Sequence, residues 1–220
     1  MKVLLVNGSP HQHGCTDAAL RLVESSLREE GIETELVWLG NKPIGGCISC
    51  RSCAKTGGKC VFNDIVNEFK EKCYTADGFV FGSPVHYGSM SGNMKCFMDR
   101  LFFSERHGNK SKALRMKPAA AVVSARRSGT TTTLDQINRY FTMYEMPTIP
   151  SRYWAAVHGA SPDEIAQDEE GTHMMRILGK YMAYFLRCQE AGRAAGIDVP
   201  ELEPYRTTNF VRTDPKLYGF

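Results

Sequence analysis

Two short apolar runs end in the same tripeptide: Val3-Leu4-Leu5-Val6 leads through Asn7 into Gly8-Ser9-Pro10, and Phe79-Val80-Phe81 leads into Gly82-Ser83-Pro84. A short apolar run that stops at Gly and Pro is typical of a buried strand in a parallel sheet covered on both faces. Ligands of such sheets bind in the loops beyond the carboxyl ends of the strands. The two matching loops therefore predict one site that is built from two strands.

Length and composition predict one folded domain. The chain has 220 residues, of which 42% are hydrophobic, and this is enough for one well-buried core. We expect the domain to span residues 1–196. Residues 197–220 are rich in proline and aromatic side chains, so we expect this tail to pack on the domain or on a neighbouring subunit.

Charge and hydropathy argue against several classes of function. The chain carries 27 Lys and Arg against 24 Asp and Glu, with no long run of one sign, which gives nucleic-acid binding little support. We find no apolar stretch of about 18 residues that could span a bilayer, and the apolar run before Asn7 is too short for a signal peptide. We expect a cytoplasmic protein, whose eight cysteines are then ligands, redox groups or buried hydrophobes rather than disulfides.

The pattern along the chain alternates between strands and helices. This order predicts an α/β doubly wound parallel sheet of five strands with helices on both faces. After the first strand, the predicted helices are 16–30, 64–73, 91–106, 131–146 and about 171–196, and the predicted strands are 34–39, 79–81, 118–124 and a weak one near 148–157.

The first loop, from Ser9 to Thr16, joins a strand to a helix that Thr16 can cap. Free backbone N–H groups and the helix dipole form an anion site at such a junction. The loop lacks both the Gly-Lys-Ser/Thr ending of a nucleoside triphosphate loop and the G-x-G-x-x-G of dinucleotide sites. Hydroxyls at Ser9 and Thr16, without a lysine, suit a phosphate monoester such as that of FMN. An ordinary polar turn remains the alternative.

The second loop, from Ser83 to Gly92, offers what a flavin ring needs: an aromatic side chain, small residues and backbone N–H groups. It is not the nucleophile elbow of a serine hydrolase, because Met90 occupies the middle of Gly88-Ser89-Met90-Ser91-Gly92. An ordinary loop is the alternative here too.

Four cysteines follow a compact spacing: Cys47, Cys50, Cys53 and Cys60 read C-x2-C-x2-C-x6-C. Soft thiolate ligands at this density suit an iron-sulfur cluster or zinc, and the x2 rhythm favours [4Fe-4S]. Plain thiols remain an alternative. Three other cysteines, Cys73, Cys96 and Cys188, lie on apolar helix faces, where we expect them in the core.

Four segments together carry a family resemblance: KVLLVNGSPHQHGCT (2–16), GCISCRSCAKTGGKCVFND (46–64), ADGFVFGSPVHYGSMSGNMKCFMDRLF (76–102) and AAAVVSARRSGTTTTLDQIN (119–138). They resemble the NADPH-dependent FMN reductase and iron-sulfur flavoprotein group of flavodoxin-like proteins. The resemblance implies strand order 2-1-3-4-5 and a homodimer or homotetramer. It also implies that FMN binds across the loops that follow the first, third and fourth strands. The candidate cofactor-binding residues are Ser9, Pro10, His11, Gly14, Cys15, Thr16, Ser83, Pro84, Val85, His86, Tyr87, Gly88, Ser124, Arg126 and Arg127.

The arginines after the fourth strand have a specific expected role. A guanidinium near N1 and O2 of the flavin would favour the anionic reduced form, although two solvated arginines are the plain alternative. In this interpretation the flavin carries the chemistry, so no side-chain catalyst is required.

We therefore predict an FMN-dependent oxidoreductase that passes electrons from NAD(P)H to a small acceptor, such as a quinone, a nitro or azo compound or a flavin, or to a redox protein. One alternative is an iron-sulfur electron carrier that takes electrons from ferredoxin. A second is a non-catalytic sensor that binds FMN or a metal.

Overall fold

The computed structural model describes residues 1–109, 112–203 and 206. Its strands are β1 (Lys2–Asn7), β2 (Glu33–Trp38), β3 (Gly78–His86), β4 (Ser89–Met90), β5 (Ala119–Ala125) and β6 (Ala156–His158). Its helices are α1 (Cys15–Glu29), α2 (Ser52–Lys55), α3 (Ile65–Cys73), α4 (Gly92–Asn109), α5 (Thr130–Met143), α6 (Pro162–Gln167) and α7 (Glu169–Ala194).

Five parallel strands form the main sheet in the order β2-β1-β3-β5-β6, and β4 pairs antiparallel with the end of β3. With the two-residue β4 set aside, this is the predicted order 2-1-3-4-5 of a flavodoxin-like doubly wound sheet. The fold prediction is therefore confirmed. The register places Asn7 opposite Gly82, so the first and third strands end side by side.

The strands alternate their side chains between two apolar layers. In β1, Val3 and Leu5 join the layer under α1 and α7, while Leu4 and Val6 join the layer under α3, α4 and α5. Helix α1 lies very close to β3: a Cβ added at Gly82 would stand 2.7 Å from Leu20 Cδ1. This contact fixes the start of α1 above the end of β3, where the predicted site lies.

The weak fifth strand is shorter than predicted. Only Ala156–His158 forms β6, and Thr148 contributes a single isolated bridge to Ala119. Pro147 directly precedes the predicted span and Pro150 falls inside it, and neither can donate a backbone hydrogen bond to a neighbouring strand.

Two predicted details are wrong. Helix α1 begins at Cys15 with Gly14 as its N-cap, so Thr16 lies inside the first turn instead of capping it. Cys73 is buried as expected, but Cys96 is only partly buried and Cys188 is exposed. On α7, Leu186 faces the core, and Cys188 comes two residues later, which turns it by about 200° toward solvent.

Part of the tail lies outside the described residues, including its aromatic side chains Tyr205, Phe210, Tyr218 and Phe220. The boundary at residue 196 and the packing of the tail stay predictions. Within the described ranges, no helix has both the length and the apolar character that crossing a bilayer requires.

Candidate functional site

An open cleft of about 450 Å³ lies at the carboxyl edge of the sheet, where the loops after β1, β5 and β6 meet the end of β3. No Asp or Glu is among its described lining residues, so the cleft suits a negatively charged group. The lining residues are Ser9, His11, His13, Gly14, Cys15, Thr16, Pro84, Val85, His86, Ser124, Ala125, Arg126, Gly159, Ala160 and Pro162.

The floor of the cleft is the N-terminus of α1. Its N-cap, Gly14, has no side chain to accept hydrogen bonds from the first amides of the helix, which leaves these donors for an anion. The hydroxyls of Thr16 and Ser124 are 2.8 Å apart and join the first loop to the end of β5. Ser9 Oγ accepts a bond from the amide of His11 and holds the loop in a tight turn.

The two Gly-Ser-Pro tripeptides are bonded to each other, as a single site requires. The amide of Gly8 donates to Gly82 O over 2.9 Å, and Ser91 Oγ donates to Gly8 O over 2.6 Å. The amide of Ser91 donates in turn to Ser83 Oγ. A Cβ at Gly8 would stand 2.6 Å from Met94 Cε, so only glycine fits this junction without displacing α4.

The second predicted loop is in fact a β-hairpin. Strand β3 continues through Gly82-Ser83-Pro84 to His86, and a two-residue turn at Tyr87 and Gly88 leads into β4. Both turn residues have positive φ, +52° and +71°, as in the type I′ turns that suit the twist of hairpins. The loop prediction failed because Gly and Pro were taken as the end of a strand that β5 still pairs with.

Ten of the fifteen predicted cofactor residues line the cleft. Ser83 is fully buried and supports the hairpin instead, and Tyr87 is fully exposed at its tip. Pro10, Gly88 and Arg127 also lie outside the lining, and Arg127 is exposed.

Sequence reasoning missed the loop after β6, which contributes Gly159, Ala160 and Pro162. The sequence does contain a signal for this loop. The apolar run Ala155-Ala156-Val157 is followed by Gly159, Ser161 and Pro162, the same residue types in the same order as in the first two loops, with Ala160 inserted. Cys15 connects this loop to α1, because its Sγ donates to Gly159 O at 3.6 Å. Burial raises the pKa of the Cys15 thiol, which favours its protonated form.

The four spaced cysteines line one small cavity beside α4, which contributes Arg100 and Phe103 to it. All four are free thiols; Cys53 is buried while Cys47 and Cys50 are exposed. Burial raises the pKa of Cys53, while hydrogen bonds from Ser52 lower that of Cys50. Within residues 1–109, 112–203 and 206, no three His, Cys, Asp or Glu side chains are placed so that they could hold a metal ion.

Buried polar side chains hold the second half of this cysteine loop from beneath. Asn67 accepts from the amide of Cys60 and donates to the carbonyls of Cys60 and Phe62. Lys70 Nζ donates to Gly58 O over 2.6 Å and pairs with Glu105 at 3.3 Å, with both side chains almost fully buried. None of these anchors could be inferred from the helix patterns, in which charged residues normally face solvent.

Comparison with known proteins agrees with this architecture. The sequence profile described as NADPH-dependent FMN reductase matches residues 1–161. An iron-sulfur flavoprotein of Methanocaldococcus jannaschii is 36% identical over 190 residues, which cover 83% of this chain and 96% of the relative.

Two solved structures share the fold at low identity. RosB, with bound 8-demethyl-8-formylriboflavin-5'-phosphate, superposes with a TM-score of 0.68 at 16% identity and covers 97% of this chain and 95% of its own. An NAD(P)H:quinone oxidoreductase from Methanothermobacter marburgensis superposes with a TM-score of 0.63 at 14% identity. The match covers 82% of this chain and 94% of the other.

Proposed function

The chain belongs to the NADPH-dependent FMN reductase family, and we propose that it passes electrons from NAD(P)H through FMN to a small acceptor or a redox protein. The observation that carries the proposal is the cleft: an uncapped helix N-terminus and two hydroxyls meet the end of β3 and the loops after β5 and β6, with no described acidic side chain on the wall. When bound, FMN supplies the hydride acceptance and the onward electron transfer.

The residues of the cleft divide the binding between them. We assign the phosphate to the first amides of α1 with the hydroxyls of Ser9 and Thr16, where the helix dipole favours an anion. Pro84, Val85 and His86 form one wall for the ring. Arg126 follows the neighbouring strand β5, also lines the cleft and brings a positive charge to it.

The cleft is open to solvent, so a small acceptor could reach a cofactor that is bound there. A quinone is our first choice, since the M. marburgensis neighbour is named for that substrate. The test is anaerobic: the protein is purified with FMN, mixed with NADH or NADPH, and then with a water-soluble quinone. Bleaching of the flavin by the nucleotide and its recovery by the quinone support the proposal. A flavin that neither nucleotide bleaches would contradict it.

We further propose a [4Fe-4S] cluster at Cys47, Cys50, Cys53 and Cys60. The donor chemistry suits such a cluster, because four thiols from one short segment line the same cavity. As placed, no three of them could hold a metal ion, so the sulfurs would have to converge when the cluster binds. The M. jannaschii relative is named an iron-sulfur flavoprotein. Iron and sulfide are measured on anaerobically purified protein. Cys53→Ala should lose the iron and keep FMN, whereas Cys188→Ala, an exposed cysteine outside the cavity, should keep both. Absence of iron from the unmodified protein would refute the cluster.

One observation favours the electron-carrier alternative. Between Asn41 and Asn63 the chain has no acidic residue, and Lys42, Lys55 and Lys59 are exposed around the cysteine loop. A basic rim steers an acidic partner such as a ferredoxin, with a rate that falls as salt rises. Lys55→Glu with Lys59→Glu should slow flavin reduction by ferredoxin about tenfold, and Lys180→Glu on α7 should not. Equal rates in both variants would exclude this docking.

The assembly and the location stay proposals. We propose a cytoplasmic homodimer or homotetramer to which residues 197–220 contribute. Light scattering of the full chain and of a chain that ends at Gly196 tests this, because an unchanged mass would exclude a role of the tail in assembly.

A further inference from the structure

Arg100 is the largest side chain that is fully buried in the described part of the molecule, and it lies directly beneath the cysteine loop. Its side chain is 1% exposed. Burying a guanidinium costs free energy unless each N–H has a hydrogen-bond acceptor. The acceptors around Arg100 therefore indicate which groups this side chain holds in place.

The guanidinium joins the two ends of the cysteine loop. It donates to Gly45 O at 3.4 Å, just before Cys47, and to Phe62 O at 3.3 Å, just after Cys60. Two of its nitrogens, Nε and Nη2, both lie 3.3 Å from Cys60 Sγ. Its outer edge makes a bidentate pair with Asp64 at 2.6 and 2.8 Å.

Two donors on one cysteine sulfur are informative. A neutral thiol sulfur is a weak acceptor, whereas a sulfur bonded to a metal carries negative charge and accepts strongly. An arginine that only closed the loop would need the two carbonyls and Asp64. The bonds to Cys60 Sγ add nothing to that role.

We propose that Arg100 is a positioning residue for the cysteine site: it holds Cys60 Sγ in its ligating orientation and places a buried positive charge beside the cluster, which raises the reduction potential of the cluster. This inference rests on the proposed cluster. Hydrogen bonds to ligand sulfurs and local charge are the terms that set such potentials, and a buried charge is poorly screened.

The surrounding charges agree with this role. Asp64 pairs with the two terminal nitrogens of the guanidinium, Nη1 and Nη2, whereas Nε donates to Cys60 Sγ. Asp64 also caps α3, because its Oδ1 accepts from the amide of Val66. Burial lowers the pKa of Arg100, but the bonds to Asp64 and Cys60 outweigh it and leave that pKa above its ordinary value. The neighbouring pair of Lys70 and Glu105 is neutral as a unit and donates to Gly58 O.

A planar fork is needed here. Only arginine can donate to a sulfur, a carboxylate and two carbonyls from one rigid plane, and Phe62 packs on the face of that plane at 4.8 Å. Arg100→Lys keeps the positive charge but loses the planar set of N–H donors. We expect it to assemble less cluster than the unmodified protein, with a potential closer to that protein than to a neutral variant.

The decisive variant is Arg100→Gln with Asp64→Asn. It leaves no buried charge without a partner, keeps the net charge constant, and retains an Asn that can cap α3. The matched control is Lys70→Met with Glu105→Gln, which removes the other buried pair beneath the same loop without touching a described sulfur ligand. Each protein is purified anaerobically, assayed for FMN, iron and sulfide, and titrated with a reductant while the cluster is followed by electron paramagnetic resonance.

We expect the Arg100/Asp64 variant to need about a tenfold higher ratio of reductant to oxidant for half reduction, which is about 59 mV for one electron. The Lys70/Glu105 control should keep the unmodified potential. An unchanged potential in the first variant, or an equal shift in the control, overturns the proposal while the cluster itself stands. Unmodified protein without iron overturns the cluster, and this proposal with it, while FMN content reports separately on the flavin assignment.

Discussion

The flavin cleft and the cysteine loop share no lining residue and are built in different ways. The cleft consists of strand ends and loops held by backbone bonds, hydroxyls and two close-packed glycines, Gly8 and Gly82. The cysteine loop has no strand and only the four-residue α2, and buried charges at Arg100, Lys70 and Glu105 hold it from below. The cleft thus follows from the topology of the sheet, whereas the loop depends on individual side chains.

Lys70→Met should cause the largest loss of unfolding free energy. It leaves the Glu105 carboxylate buried without its cation, which costs about 3–5 kcal/mol of unfolding free energy. Lys72→Met, on the same helix, breaks a partly exposed pair with Glu35 and should cost less than about 1 kcal/mol. Urea unfolding measures both. Equal losses would mean that the loop does not depend on buried charge.

Thr16→Glu tests the cleft. A carboxylate at the start of α1 would face the proposed phosphate, and a like-charge contact of this kind costs about 3 kcal/mol, or about a hundredfold in the Kd of FMN. Thr16→Ser keeps the hydroxyl that meets Ser124 and should bind FMN normally. Iron content should be unchanged in both. Full FMN binding by Thr16→Glu would show that the phosphate lies elsewhere.

Tyr87→Asn should stabilise the hairpin at the rim of the cleft by up to about 1 kcal/mol. Tyr87 has φ of +52°, a conformation that Asn tolerates better, and its exposed ring makes no contact that would be lost. Thermal unfolding measures the gain. Tyr87→Phe keeps the backbone penalty and serves as the control. Weaker FMN binding by the more stable variant would show that the strain is kept for the cofactor.

Glu35→Gln should cause the smallest loss of unfolding free energy, and this loss should depend on pH. Hydrogen bonds from Lys2 and then Lys72 hold the pKa of Glu35 below its ordinary value. The carboxylate therefore stabilises the fold above the unfolded-state pKa of about 4.3, and this contribution is lost as the pH falls through the lower folded-state pKa. Because Glu35 is partly exposed, we expect less than about 1 kcal/mol at pH 7. The unfolding free energies of the two proteins should converge as the pH falls below the folded-state pKa of Glu35; a gap that does not change with pH would exclude this origin.

Much of the cleft could be predicted because its parts are local in sequence. An apolar run followed by Gly and Pro marks a strand end wherever it occurs, and parallel strands bring such ends to one edge. The errors arose where pairing partners decide the outcome. β5 pairs with β3 as far as Pro84 and β4 pairs with it as far as His86, whereas prolines shorten β6 to three residues.

The sequence by itself determined the doubly wound sheet, the edge that carries the site and the four clustered cysteines. Hydrophobic periodicity, Gly and Pro after apolar runs, and cysteine spacing predict these three features, and all are properties of residues close together in the sequence. Only the tertiary structure decided that Arg100 is buried under Cys60 and that Lys70 meets Glu105. In the sequence these are charged residues on amphipathic helices, which normally face water. Whether such a residue is solvated or buried depends on what the loop 40 positions away brings against it, and no local pattern records that contact.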